Sequence, residues 1–235
     1  MRTFTALAKA DPLAMTLVDE LPNIKNSPTE YQHQMFEIGK HLADGMLPKL
    51  CADSYDICVV CTVEDADFLA RGLIERLESA GLTNRIHLIC LWNDKIREEN
   101  ISLSPVVREY KEAFDPRHTS FVIVKSIISG ACVVKTNLTR AMSFAEPEKI
   151  FVAAPVMLIG AEKRLAREFP KEISEKFEFV HFAVDTEKDG ENVIPGIGGS
   201  VYELLGFENS KAKNKYIPKL VKERRRRIFG QPALA

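Results

Sequence analysis

Short runs that are apolar at nearly every position alternate along this chain with segments whose apolar residues recur every three or four places. The first kind, at 57–63, 86–92, 121–124, 150–156 and 177–184, predicts strands. The second predicts helices: Phe68-Leu69 with Gly72-Leu73 and Leu77, then 134–142, then 161–169. A strand apolar on both faces needs cover on both, so the expected fold class is α/β, a doubly wound, mostly parallel sheet. In such a sheet the ligand site lies at the carboxyl ends of the strands. Ahead of the first strand, Thr29 reads as the N-cap of a helix over 30–47, where Met35, Ile38, Leu42 and Met46 keep helical spacing. Residues 1–28 carry Pro12, Pro22 and Pro28, which break any long element; they predict an arm that packs on the body or on a neighbour.

Composition changes this picture little. A chain of 235 residues, 46% apolar and 28% charged, is long enough to bury the core of one α/β domain. The net charge of -1 gives no global attraction for nucleic acid or an acidic membrane. No run approaches the ~18 apolar residues of a membrane span, and Met1-Arg2 leads into mixed polar sequence; the expectation is a cytoplasmic protein without membrane partners. Cys51, Cys58, Cys61, Cys90 and Cys132 are an odd count, mostly in apolar runs, which predicts reduced thiols. Cys58 and Cys61 stand three apart on a predicted strand and so point to opposite faces, which spoils chelation by the pair.

Charge is concentrated in one place. After Phe207 come Lys211, Lys213, Lys215, Lys219, Lys222 and the run Arg224, Arg225, Arg226 and Arg227, opposed only by Glu223. Residues 208–235 therefore form a basic C-terminal extension beyond a domain spanning 29–207. Val221 and Ile228 would anchor one side of a short helix and leave the arginines solvated. Two readings stand: a charged surface helix balancing an acidic body, or a patch through which Lys222 and Arg224 to Arg227 bind nucleic acid or an acidic protein.

The stretch Val193-Ile194-Pro195-Gly196-Ile197-Gly198-Gly199-Ser200-Val201-Tyr202, followed by Leu205-Gly206-Phe207, is nearly bare of large side chains and would bring backbone against a planar ligand. It resembles the lip that holds the pyrimidine in the uracil phosphoribosyltransferase family, Ile-Pro-Gly-Leu-Gly-Asp-Ala-Gly-Asp and then Phe-Gly. Other parts of that family's pattern occur in order between Ile57 and Phe207. Asn84 to Ile89 is similar to its second core strand, with Trp92-Asn93-Asp94 and Glu98-Glu99-Asn100 in place of its Tyr-Arg-Asn-Glu-Glu-Thr turn. Pro105 to Lys111 resembles the mobile arm, Phe121 to Val124 the strand before the phosphoribosyl pyrophosphate loop, and Phe151-Val152-Ala153-Ala154-Pro155 the strand ending in Ala-Ala-Pro; Phe182 to Asp185 precedes the lip. The resemblance implies a phosphoribosyltransferase-like fold that forms a homodimer.

The residues on which that family's chemistry depends have changed. Where its ribose-phosphate loop reads Val-Asp-Pro-Met-Leu-Ala-Thr-Gly-Gly-Ser, this chain has Val124-Lys125-Ser126-Ile127-Ile128-Ser129-Gly130-Ala131-Cys132-Val133, with Lys125 in place of the carboxylate that meets the ribose. Where its pyrophosphate loop reads Ile-Leu-Arg-Ala-Gly, this chain has Cys61-Thr62-Val63-Glu64-Asp65-Ala66-Asp67, three carboxylates in place of an arginine. Gly199 and Tyr202 replace both aspartates of the lip. With both signs of charge changed, the expectation is a catalytically degenerate protein that binds a nucleotide or other anion and acts by association with itself or a partner. Lys125, Ser129 and Gly130 would cradle the anion; Ile194, Gly196, Gly198 and Ser200 would line a base pocket. The alternative is an active transferase of phosphoribosyl from phosphoribosyl pyrophosphate to uracil or a related base. That needs Mg2+, held by Glu64, Asp65 or Asp67; the same acids otherwise serve to stabilise a helix N-terminus.

Overall fold

The computed structural model describes residues 1–94, 96–98 and 101–229. Glu99 and Asn100 of the expected turn, and 230–235 of the basic extension, lie outside the described residues. Five parallel strands form the centre of an eight-stranded sheet: β2 (Asp56–Thr62), β3 (Ile86–Asn93), β7 (Thr119–Val124), β9 (Lys149–Leu158) and β10 (Phe177–Asp185). Antiparallel strands close both edges, β1 (Arg2–Phe4) beside β10 and β6 (Val106–Lys111) beside β3. A short β8 (Ile127–Ile128) pairs with β9. Two hairpins lie apart from the sheet, β4 (Ile96–Glu98) with β5 (Ile101–Leu103) and β11 (Glu187–Asp189) with β12 (Asn192–Ile194).

Period-two alternation divides the core into two layers. Ile57, Val59 and Cys61 of β2 point into one cluster, and Cys58 and Val60 into the other, so the two cysteines do face opposite sides. The first cluster is covered by α3 (Pro28–Leu50) and by a continuous helix made of α4 (Val63–Asp65), a π-helical turn (Ala66–Ala70) and α5 (Arg71–Leu77). Here the helices meet backbone to backbone: a Cβ on Gly39 would stand 2.1 Å from the Leu69 carbonyl oxygen, and one on Gly72 1.9 Å from that of Phe36. The second cluster lies under α6 (Cys132–Met142) and α7 (Ala161–Ala166). Helices on both faces explain why the central strands are apolar throughout.

The N-terminal residues are more ordered than an arm. Pro12 does not break a helix but opens one, α2 (Pro12–Glu20), after α1 (Ala6–Ala10); Asp11 caps it by accepting from the Ala14 N–H. Pro28 likewise opens α3, with Ser27 as N-cap in place of the expected Thr29. Proline suits this position because the first helical N–H has no intrahelical partner. After a short α8 (Lys171–Ser174) and the lip, three more helices follow: α9 (Val201–Leu204), α10 (Ser210–Lys215) and α11 (Lys219–Phe229). Among the described residues no helix is long and apolar enough to cross a membrane. None of the five cysteines is in a disulfide; Cys51 is exposed and Cys132 half-buried, while the three strand cysteines are buried.

Candidate functional site

Counting only the parallel strands in chain order, their spatial order is second, first, third, fourth, fifth. The order reverses between β2 and β7, and at such a switch point the loops diverge and leave a crevice at the carboxyl ends. The helical turn α4 directly after β2 carries Glu64 and Asp65, and the loop after β7 carries Lys125. The two segments in which charge has reversed relative to the family pattern therefore face each other.

They also neutralise each other. Lys125 Nζ donates to Glu64 Oε1 and Asp65 Oδ2, both at 3.0 Å, and Thr62 Oγ1 donates to the same Asp65 oxygen at 2.8 Å. A second ammonium arrives from α10: Lys213, 1% exposed, donates to the Asn93 carbonyl at the end of β3 at 2.8 Å and lies 3.7 Å from Glu64 Oε2. Its Nζ sits 5.0 Å from the centre of the Tyr202 ring. Burial disfavours the Glu64 carboxylate, yet Lys125 and then Lys213 outweigh it and hold its pKa down at about 2. Burial also opposes the Lys125 ammonium, but Asp65 and Glu64 keep its pKa well above the ordinary lysine value. For Lys213 burial wins and its pKa is lowered. The Tyr202 phenol is raised to about 12, by burial first and by Glu64 next.

This geometry redirects two expectations. Lys125, expected in an anion cradle with Ser129 and Gly130, has its ammonium turned to Glu64 and Asp65. The acidic trio expected to hold Mg2+ does not converge. Asp67 turns to the C-terminal segment, where it accepts from the Lys219 and Leu220 N–H groups at 2.8 and 2.7 Å and from the Tyr216 hydroxyl. Among the described residues no group of three His, Cys, Asp or Glu is placed to hold a metal ion. With Glu64 and Asp65 each bound by Lys125, this donor set does not fit a divalent cation, which needs several oxygens on one centre.

Ser129 and Gly130 lie in the loop that leads into α6. The Ser129 carbonyl accepts from Arg164 at 3.1 Å, Gly130 is exposed, and no side chain caps α6. The lip is fixed by its backbone. Gly196 and Gly198 have φ of 55° and 96°, and a Cβ there would meet the Val193 oxygen at 2.2 Å and the Pro22 Cα at 2.9 Å. The Gly196 N–H donates to Asp185 Oδ2 at 2.8 Å and its carbonyl accepts from Arg2; the Gly198 N–H donates to Pro195; Tyr31 holds the Ile197 carbonyl at 3.0 Å. Of the four expected base contacts, Gly198 and Ser200 line a cavity of about 530 Å³ that also takes in Lys25, Asn26 and Glu203. Gly196 has its polar backbone engaged elsewhere, and Ile194 is exposed outside the lining.

The C-terminal run contributes to structure more than charge alone foretold. Arg224 is buried, not solvated: it forks onto Glu112 at 2.7 and 2.9 Å and donates to the Ile86 carbonyl at 2.7 Å. Leu220 and Val221 are buried beside it. Lys222 and Arg225 are exposed, Arg226 is half-buried, and Arg227 pairs with Glu78 at 3.3 Å. Lys213 and Arg224 were read only as parts of a basic run; their buried pairing escaped sequence reasoning because their partners lie far along the chain. The one available signal was the reciprocal swap of charge in the loops after β2 and β7.

Strand order, the crevice at the switch point and the glycine lip define a doubly wound α/β protein with a mostly parallel sheet. No protein-family model and no curated protein matches the sequence. Among solved structures the chain is similar to the AQ2163 protein from Aquifex aeolicus, with a TM-score of 0.63 and 16% identity over 85% of this chain and 96% of that one. It is also similar to TT1426 from Thermus thermophilus (TM-score 0.47, 11% identity, 81% and 97%) and to a hypoxanthine phosphoribosyltransferase from Staphylococcus aureus (0.41, 9%, 65% and 76%). Identities this low speak of the fold and do not single out the uracil enzymes.

Proposed function

We propose that this chain is a non-catalytic relative of the phosphoribosyltransferases, which binds a nucleotide or similar anion and acts by association. The observation that carries the reading is the ion pair of Lys125 with Glu64 and Asp65 across the switch point. Phosphoribosyl transfer needs oriented charge that stabilises a cationic ribose and a pyrophosphate leaving group. Here the carboxylates on the pyrophosphate side and the cation on the ribose side are engaged with each other, which leaves neither sign of charge free for the reacting groups. The loop at Ser129 and Gly130 leaves backbone N–H groups at the start of an eleven-residue helix, the arrangement that suits a phosphate. A homodimer belongs to the same reading and is checked by sedimentation.

Incubation with uracil, phosphoribosyl pyrophosphate and Mg2+ is expected to yield no UMP above background; turnover approaching ~1 per second would establish the active transferase instead. Calorimetric titration with UMP is expected to show binding that Gly130→Glu abolishes. A Cβ at Gly130 meets nothing within 4 Å, so the fold should tolerate the change while the added carboxylate repels phosphate.

A further inference from the structure

The face of β3 and β6 that receives α11 carries a row of side chains in register. Trp92 stands opposite Arg108 across the strand pair, with Tyr110 and then Glu112 at alternate positions beyond. Glu112 is taken by Arg224. The other two aromatic positions each carry an arginine: the Arg108 guanidinium is 5.6 Å from the Trp92 ring centre, and that of Arg225 is 5.3 Å from Tyr110. Both arginines are exposed.

On α11, Lys219, Lys222 and Arg226 follow at helical spacing on the face opposite the buried Leu220 and Arg224. Their side chains have no acidic partner among the described residues. The nearby acids are already matched, Glu223 with Arg71 at 2.9 Å and Glu78 with Arg224 and Arg227. A chain of net charge -1 thus presents a local surface of one sign. Leu220 and Val221 are used in packing against the body.

We propose that this surface binds single-stranded nucleic acid. Lys219 and Arg226 stand seven residues apart with Lys222 between them, about 10.5 Å of helix, a length that matches about three phosphates of one strand. A guanidinium held against an aromatic ring keeps its outer plane for a base to stack on, the manner in which unpaired bases are received. Arg108 of β6, over Trp92, and Arg225 of α11, over Tyr110, supply two such planes, and Arg108 and Tyr110 stand two residues apart on β6, so the planes are neighbours on one surface. The inference is independent of the anion cradle, since Ser129 and Gly130 take no part in it.

The test is fluorescence anisotropy with labelled poly-U RNA and poly-dT DNA of about 12 nucleotides, with a duplex, a poly-Glu peptide and phosphatidylserine vesicles alongside, across a salt series. Saturable binding to the single strands is expected, falling with salt. Removing two cations in Lys222→Ala/Arg226→Ala should weaken it about tenfold and flatten the logarithmic salt slope by about 1.4. Arg108→Lys keeps the charge but loses the plane; affinity should fall with the slope unchanged. RNA and DNA binding alike would identify the strand and its phosphates as the ligand, and RNA preference a ribose contact. No single-strand binding at about 50 mM salt, indifference to the double substitution, or equal binding of poly-Glu or vesicles would overturn the proposal.

Discussion

Glu64 concentrates the electrostatics of the site in one carboxylate. It is buried, and Lys125 and Lys213 keep it ionised. Its folded pKa near 2 lies below the ordinary 4.5, so the unfolded chain takes up the proton first as pH falls. The stabilisation is therefore complete above pH 4.5 and is lost as pH drops toward 2. Urea unfolding followed against pH should show this acid limb in the wild type and a flatter one in Glu64→Gln. Lys125→Met should be harsher at neutral pH, about 3–5 kcal/mol less stable, because it strands the buried Asp65 carboxylate without its cation and leaves Glu64 with Lys213 alone. None of this was legible from Lys125 alone. A lysine in a loop reads as available charge until the parallel pairing of β2 with β7 brings it to Glu64, 61 residues away.

At the level of elements, legibility followed burial. The five parallel strands were plain in the sequence because both of their faces are apolar, and their ends fell within a few residues of those observed. β6 was missed as a strand: it is an edge, with Val107, Arg108 and Lys111 exposed, and an edge strand keeps charges that discourage pairing with another chain. α1 and α2 were hidden behind Pro12, and α3, expected over 30–47, starts two residues earlier at Pro28; the meaning of a proline depends on whether it falls inside a helix or at its first residue. α11 depends on a cap from outside its own segment, since Asp67 receives its first N–H groups. Asp67→Ala should cost about 1–2 kcal/mol, the loss of a capping carboxylate. Hydrogen exchange would locate that loss: amides of α11 should exchange faster while those of β2 and β7 keep their protection.

Across the whole molecule, the two ends of the chain are tied into the body by buried ions. Arg2 on β1 forks onto Asp185 at 2.9 and 2.9 Å and reaches the Val18 and Gly196 carbonyls, so the first strand, α2 and the lip share one guanidinium. The Asp185 carboxylate is fully buried. Arg2→Met should destabilise the protein by about 3–5 kcal/mol through the carboxylate left behind, lowering the melting temperature measured by circular dichroism. The same substitution should loosen the lip, read as faster proteolysis near residue 196. Sequence composition marked 1–28 as separate because prolines interrupt it; the tie to Asp185 spans 183 positions and leaves no local trace.

The buried cations from α10 and α11 also have a consequence for the order of events at the ribosome. Arg224 emerges 112 residues after Glu112, and Lys213 emerges 120 after the Asn93 carbonyl it binds. A nascent chain with every sheet strand already released still holds carboxylates that await their counter-ions. The final packing of this protein is thus deferred until Arg224 has followed the strands out of the ribosome, a window in which a chaperone would find the unfinished edge beside β3 and β6.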